Sequence, residues 1–288
     1  MCGCGSRDRE PSPRAPDAYM RVFTIACMSS PPSRLPPPPP FARDWALFLD
    51  VDGTLLDFAP TPDGVTVAPC LIAALAALQQ HLDGAVALVS GRPLVQLDRL
   101  FAPLQLPAAG LHGLEWRSGA HHVDVPPAPT ALRALLDDAE ALVAGYPGAV
   151  VEDKGATLAL HWRGNPGAEP ALRALAEAAL PRLPDYRLQP GDHVVELRPA
   201  GADKGAAIDA LLETVPFRGR RPVFVGDDLT DEHGFEIVHA HDGIAVLVGE
   251  REPSIAGYGL RDPDAVRAWL LAIAMRPAHA STHPKERA

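Results

Sequence analysis

Trp45-Ala46-Leu47-Phe48-Leu49-Asp50-Val51-Asp52-Gly53-Thr54 is the stretch from which the rest of the chain can be read. Five apolar residues run without a break into two carboxylates, as a central strand of a parallel sheet does when it is buried on both faces. Ligands of such sheets gather at the carboxyl ends of the strands, so Asp50 and Asp52 are expected to face a crevice. Two acids one residue apart, a Gly that lets the backbone turn and the Thr54 hydroxyl suit a nucleophile, a general acid and a phosphate contact. A capped turn or a calcium-loop fragment reads the same way, and the motif alone does not choose between them.

Three further elements follow in order. Ser90-Gly91-Arg92 comes after the strand-like run Ala85-Val86-Ala87-Leu88-Val89. Ser90 can offer a hydroxyl to a phosphoryl oxygen, and Gly91 permits close backbone approach. Lys204, in Gly201-Ala202-Asp203-Lys204-Gly205, opens a helical pattern whose apolar face uses Ile208, Leu211 and Leu212. A cation there would neutralise both an attacking carboxylate and a phosphate. Gly226-Asp227-Asp228-Leu229-Thr230-Asp231-Glu232 follows the run Pro222-Val223-Phe224-Val225. Acids so crowded repel one another without a cation, and a set of oxygen ligands suits Mg²⁺. An N-capped helix with an acidic first turn would account for Asp231 and Glu232, but poorly for Asp227 and Asp228.

The ordered set Asp50/Asp52, Ser90, Lys204 and Asp227/Asp228/Asp231 resembles the four motifs of the haloacid dehalogenase superfamily of phosphatases. Leu49 to Leu55 with Pro60 and Pro62 behind it, His112-Gly113-Leu114-Glu115, Asp203-Lys204-Gly205 and Gly226 to Glu232 together are similar to the trehalose-6-phosphate phosphatases, a likeness running from residue 45 to about 275. It implies an α/β fold: a doubly wound, Rossmann-like parallel-sheet core with an inserted α+β cap. It further implies Asp50 as nucleophile, Asp52 as general acid and base, and Thr54, Ser90 and Lys204 as orienting groups for the phosphoryl oxygens. Mg²⁺ would be held by Asp50, the Asp52 backbone carbonyl and Asp227, with Asp228 or Asp231 completing the shell. The substrate implied is trehalose 6-phosphate, with a trehalose-6-phosphate synthase as pathway partner. Sucrose-phosphate and glycosyl-phosphoglycerate phosphatases, a phosphomutase and a non-catalytic sugar-phosphate-binding regulator are the alternatives.

Strands and helices alternate through the chain, the pattern of a parallel sheet covered on both faces. Helical stripes fall on Leu71, Ile72, Leu75 and Leu78, on Leu94, Leu97 and Phe101, and on Val266, Leu270 and Ile273. Between about 121 and 198 the pattern becomes helix, two strands, helix, two strands, a self-contained α+β layer expected to be the cap. The core is then 44–120 with 199–276, between a disordered Pro-rich leader at 1–43 and a frayed tail at 277–288. Specificity would come from the cap. Glu152 and Lys154 share one sheet face by alternation, as do Glu196 and Arg198, and Arg163 follows His161. The resemblance makes Glu152, Lys154 and Glu196 sugar contacts; a cross-strand ion-pair ladder is the structural alternative. Gly91, Arg92 and Arg163 join the expected substrate contacts. His112 and Glu115 are either sugar contacts or a hydrogen-bonded hinge brace.

With 288 residues, 47% of them hydrophobic, the chain can bury a large core, or a core and a smaller domain. A formal net charge of -10 without a Lys/Arg cluster argues against nucleic acid and anionic membranes as partners. No stretch reaches the roughly 18 apolar residues of a membrane span, and the run Val22 to Met28 is shorter than most signal cores. A cytoplasmic monomer is the expectation, with Met20 or Met28 as an alternative start. Cys2, Cys4, Cys27 and Cys70 form neither a zinc pattern nor a disulfide framework, and Cys70 reads as a small core residue.

Overall fold

Strand β1 (Trp45–Leu49) is buried along its whole length and pairs in parallel with β2 (Val86–Val89) on one side and β10 (Arg221–Gly226) on the other. A computed structural model describes residues 33–58, 64–125, 127–201 and 203–276. Residues 1–32 of the expected leader, the expected tail 277–288, and Pro60 and Pro62 lie outside the described residues. Beyond β2 the sheet adds β3 (Ala108–Gly110), parallel, and an antiparallel hairpin of β4 (Glu115–Ser118) and β5 (His121–Val123). Beyond β10 it adds β11 (Ile244–Val248) and β12 (Tyr258–Leu260), both parallel. The eight-stranded order is β12-β11-β10-β1-β2-β3-β4-β5. Strand order thus runs outward in both directions from β1, and the crevice of a doubly wound sheet opens where that reversal occurs.

The helices follow the expected stripes. In α1 (Pro69–His81) Leu71, Leu75 and Leu78 are buried, and in α7 (Pro263–Ala274) Val266, Leu270 and Ile273; the two helices pack on each other. α2 (Leu94–Leu100) buries Leu97. α5 (Lys204–Leu212) buries Ile208, Leu211 and Leu212 and packs on α6 (Glu232–Ala240). Cys70 is exposed, contrary to the core position expected for it, because it sits on the outer side of the α1 stripe that begins at Leu71. Aromatic rings fill the space between sheet and helices: Phe48 stacks on Phe217 at 5.2 Å and Phe224 meets Phe235 at 5.5 Å.

The inserted layer has its own core. α3 (Thr130–Val143) and α4 (Glu169–Ala179) lie against an antiparallel sheet of β6 (Val150–Asp153), β7 (Leu158–His161), β9 (Val194–Pro199) and β8 (Tyr186–Gly191), in that order. Alternation divides its two faces. Leu158, Leu160, Val195 and Leu197 join Leu135, Trp162 and Leu172 in an apolar cluster, while Ala159, His161, Val194 and Glu196 line a cavity on the other side.

Two boundaries depart from the expectation. β5 pairs with β4 in the large sheet, so the cap begins after 123 and not at 121; the polar, exposed His121-His122-Val123 reads as an insertion start but is the outer arm of an edge hairpin. Residues 33–43 are no loose leader either. Leu35, Phe41 and Ala42 pack on the core, Phe41 meets Trp45 edge-on at 5.6 Å, and the Gly259 amide of edge strand β12 donates to the Pro36 carbonyl at 2.9 Å. A proline has no amide to offer, yet its carbonyl can still cover an exposed strand edge.

Phe224→Ala should remove about 3–5 kcal/mol of stability, the usual loss for a fully buried Phe. Denaturant unfolding measures it, and a loss below about 1 kcal/mol would mean that the ring does not pack as described.

Candidate active site

The carboxyl ends of β1, β2 and β10 converge at the strand-order reversal, and the sequence places an acid, a hydroxyl and an acidic turn on them. The Asp50 amide donates to the Val225 carbonyl at 3.0 Å, which aligns the first residue after β1 with the end of β10. Ser90 follows β2 directly and is buried. Lys204 reaches into the same point from the first turn of α5: Nζ donates to Asp50 Oδ1 at 2.7 Å and to Asp231 Oδ1 at 2.6 Å. A cation at a helix N-terminus opposes the macrodipole by about 0.3–1 kcal/mol. Two charge-assisted hydrogen bonds, each contributing about 1.5–3 kcal/mol, outweigh it. Burial lowers the affinity of Lys204 for its proton, but Asp231 and Asp50 raise it more, and its pKa is held above the usual range.

The β10 turn is held from within. Asp231 Oδ2 accepts the amides of Asp227 and Asp228 at 2.9 and 2.8 Å, and Thr54 Oγ1 donates to Asp227 Oδ1 at 3.0 Å. Gly53 permits this approach. Its φ is +80°, and a Cβ there would lie 2.1 Å from Asp227 Oδ2. One carboxylate oxygen from each of Asp50, Asp227 and Asp231 falls within 4.8 Å of the others. Three acids therefore face one buried Lys. Burial raises the pKa of Asp50 well above normal, with Lys204 opposing and Asp231 and Asp227 adding to the rise. Burial and then Asp231 push Asp227 up to about 7. This surplus of hard oxygen ligands and negative charge fits a divalent cation such as Mg²⁺. Asp231 belongs to the cluster but already accepts from Lys204 and two amides. Asp228 lies outside it; its side chain accepts from the Leu229 amide and lines the cavity.

Arg92, expected as a substrate contact, lines the cavity and is forked onto Asp52, with Nε and Nη2 each 2.7 Å from a carboxylate oxygen. Such a bidentate pair fixes the orientation of Asp52. Glu115, by contrast, stands apart from the cavity. Its Oε1 accepts the Leu94 amide at 2.7 Å at the start of α2, and among the described residues it does not line the cavity with Asp50. Burial raises its pKa. This is the brace alternative read from the sequence.

The cavity, about 230 Å³, lies between core and cap and is lined by Asp50, Asp52, Ser90, Gly91, Arg92, His112 and Lys204 on one side and by Glu152, Lys154, His161, Arg163 and Glu196 on the other. Cap and core touch through named groups. Lys154 Nζ donates to the Gly91 carbonyl at 3.2 Å and to Glu196 at 3.5 Å, and His112 Nε2 meets Glu196 Oε2 at 3.2 Å. Thr157 Oγ1 completes the Glu196 shell at 2.7 Å. Burial would raise the Glu196 pKa, but Lys154, His112 and Thr157 together hold it far below normal. Burial depresses the His112 pKa, with Glu196 opposing, and its Nδ1 has no partner among the described residues. Glu152 accepts from or pairs with His161 at 3.0 Å and stands 3.9 Å from Lys154. Arg163 bonds Asp192 at 2.7 Å and lies over the Phe58 ring at 5.8 Å. The ion-pair ladder and the cavity lining are thus the same residues.

Thr157, Asp192, Gln189 and Phe58 line or support this cavity without having been singled out from the sequence. Phe58 and Asp192 lie in loops, and Thr157 precedes β7, so no periodicity marks them. Gln189 alternates with polar and apolar neighbours in β8 like any half-exposed strand residue.

A family model described as trehalose-phosphatase matches residues 48–264. Over 234 residues the chain is 42% identical to the trehalose-6-phosphate phosphatase of Escherichia coli strain K12, covering 81% of this chain and 87% of that protein. The crystal structure of a trehalose-6-phosphate phosphatase related protein is similar at 27% identity and a TM-score of 0.66, over 80% of this chain and 96% of the other. The C-terminal domain of the C. albicans trehalose-6-phosphate phosphatase shares the fold, with a TM-score of 0.68 at 20% identity, over 84% of this chain and 98% of that one.

The Asp227 titration gives a test. Its folded pKa of about 7 stands above that of an unfolded Asp, near 3.9, so the folded metal-free protein binds more protons between those values and loses stability as pH rises through them. A cation bound in the proton's place should raise the melting temperature little at about pH 5 and strongly at about pH 8. Thermal unfolding with Mg²⁺ or with chelator measures this, and equal shifts at both pH values would remove the cation from the cluster.

Proposed function

The chain belongs to the trehalose-phosphatase family, and from that premise we propose that it hydrolyses trehalose 6-phosphate to trehalose and inorganic phosphate with Mg²⁺ as cofactor. The observation that carries this reading is a single cavity with the Asp50–Lys204–Asp231 charge cluster on its core side and the polar residues Glu152, Lys154 and Glu196 on its cap side. The first can take a phosphoryl group and the second sugar hydroxyls.

Asp50 attacks phosphorus in line, the bond from phosphorus to the sugar oxygen breaks, and Asp52 gives that oxygen its proton. Asp52, held in orientation by Arg92, then takes a proton from the water that attacks the aspartyl-phosphate. Phosphate leaves and Asp50 is restored. Lys204 and Ser90 orient the phosphoryl oxygens, so the rate gain is positioning and charge stabilisation; Thr54, expected beside them, is fully buried outside the cavity and gives its hydroxyl proton to Asp227, so it positions that carboxylate instead. Asp50, Asp227 and the Asp52 carbonyl would hold Mg²⁺, with Asp231 next to them. When bound, it would screen the anionic nucleophile from the anionic phosphate.

Phosphate release from a panel of sugar phosphates tests the substrate. Trehalose 6-phosphate should be preferred; preference for another sugar phosphate would move the substrate assignment and leave the chemistry. Asp50→Asn should abolish release while melting as wild type, and near-normal turnover would remove Asp50 from its role.

Replacing Glu152, Lys154 or Glu196 by Ala should lower kcat/KM for trehalose 6-phosphate about tenfold or more, since a hydrogen bond to a charged group contributes about 1.5–3 kcal/mol. Turnover of a small aryl phosphate, which needs no cap, should hardly change. Parallel losses on both substrates would mean that these residues only hold cap and core together.

A further inference from the structure

We infer that Arg251, anchored by Glu232, is a positioning residue that fixes the Asp227–Asp228 turn and so sets how well the acidic cluster binds a divalent cation. This rests on the cation reading of the cluster. The turn has four backbone polar groups, and two side chains hold all of them. Asp231 takes both amides, at 2.9 and 2.8 Å. Arg251 gives to both carbonyls: Nε to Asp227 at 3.2 Å and Nη2 to Asp228 at 3.3 Å.

The fork is itself held. Arg251 Nη2 pairs with Glu232 Oε1, Nη1 donates to the Pro253 carbonyl at 2.6 Å, and Glu232 Oε2 accepts the Ile255 amide at 3.0 Å. Arg251 follows β11, the strand beside β10, so its loop emerges at the same edge of the sheet as the acidic turn. Glu232 opens α6, where a carboxylate is favoured by the helix dipole. Burial raises its pKa, but Arg251 and the Ile255 amide hold it below normal, as expected of an ionised anchor.

The chemistry explains why an Arg stands here. With its carbonyls and amides fixed, the turn can hold the Asp227 carboxylate against Thr54 and Asp50 despite mutual repulsion. A planar fork serves three carbonyls and a carboxylate at once, which the point charge of a Lys cannot do. Arg251 does not line the cavity, so among the described residues it acts through Asp227 and Asp228 and not on substrate.

The test is direct Mn²⁺ binding to the full-length protein, by calorimetry or by the spin signal of the free ion, for wild type, Arg251→Gln, Arg251→Lys and Glu232→Gln. Loss of an outer partner of a metal site costs about 10–100-fold in affinity. All three variants should weaken Mn²⁺ binding at least about tenfold on that scale, Arg251→Lys included, and raise the Mg²⁺ needed for half-maximal phosphate release by the same factor, with KM for the sugar phosphate little changed. Lower melting temperatures with unaltered Mn²⁺ affinity would make Arg251 a stability residue only and overturn the inference. Wild type that binds no Mn²⁺ would overturn the cation reading, and this inference with it. Should Arg251→Gln fail to fold, Arg251→Lys, which keeps the charge and the stem, decides alone.

Discussion

A buried ammonium between two buried carboxylates organises this molecule. Lys204 contacts Asp50 and Asp231 from the start of α5, and each partner belongs to a different strand end. Desolvating three charges costs several kcal/mol per ion, and only close geometry with further hydrogen bonds returns it. Asp231 shows how that return is obtained, since its second oxygen is spent on the amides of the turn that carries Asp227. The same carboxylate therefore fixes the cation and shapes the acidic turn. The chain has to bring β1, β10 and α5 together before any of these charges is compensated, which ties the geometry of the charge cluster to the completed fold.

The cap obeys the same rule with a different outcome. Glu196 is surrounded by Thr157, Lys154 and His112, so as an ionised group it is satisfied before any sugar arrives. A carboxylate has about four acceptor positions, and three of them are taken, so a sugar hydroxyl would share the shell or displace a member. The cavity of about 230 Å³ is slightly below the usual span of small-molecule sites, about 300–1,000 Å³. Lys154–Gly91 and His112–Glu196 are the hydrogen bonds that join cap to core beside it.

What could be read from the sequence is what local rules decide. Asp50, Ser90 and the acidic turn were legible because buried strands read as apolar runs and the ligand crevice lies at their ends. The cap was legible as an insertion, because its helices and strands change the period of the chain. Its border at 121 was not, since a polar edge hairpin and the first residues of an inserted layer have the same composition. Arg92 and Glu115 share the limitation from the other side. Their residue types were noticed, but whether a guanidinium faces a substrate or Asp52, and a carboxylate a sugar or the Leu94 amide, depends on groups brought together only by folding. Thr157 and Arg251 carry no local signal at all; each is defined by a partner about 40 or 20 residues away.

The core and cap networks around the cavity meet at one tripeptide, Ser90-Gly91-Arg92. Ser90 stands at the end of β2 and lines the cavity, Arg92 grips Asp52, and the Gly91 carbonyl between them receives Lys154 from the cap. Gly91 also lies under His112, where a Cβ would come within 2.7 Å of Nε2 and push the imidazole off Glu196. The cap is thereby tied to the backbone that carries both the Ser90 hydroxyl and the partner of Asp52. Here an alanine would have to displace the His112 ring, because the middle residue leaves room for the cap's contacts while its two neighbours stay in the core.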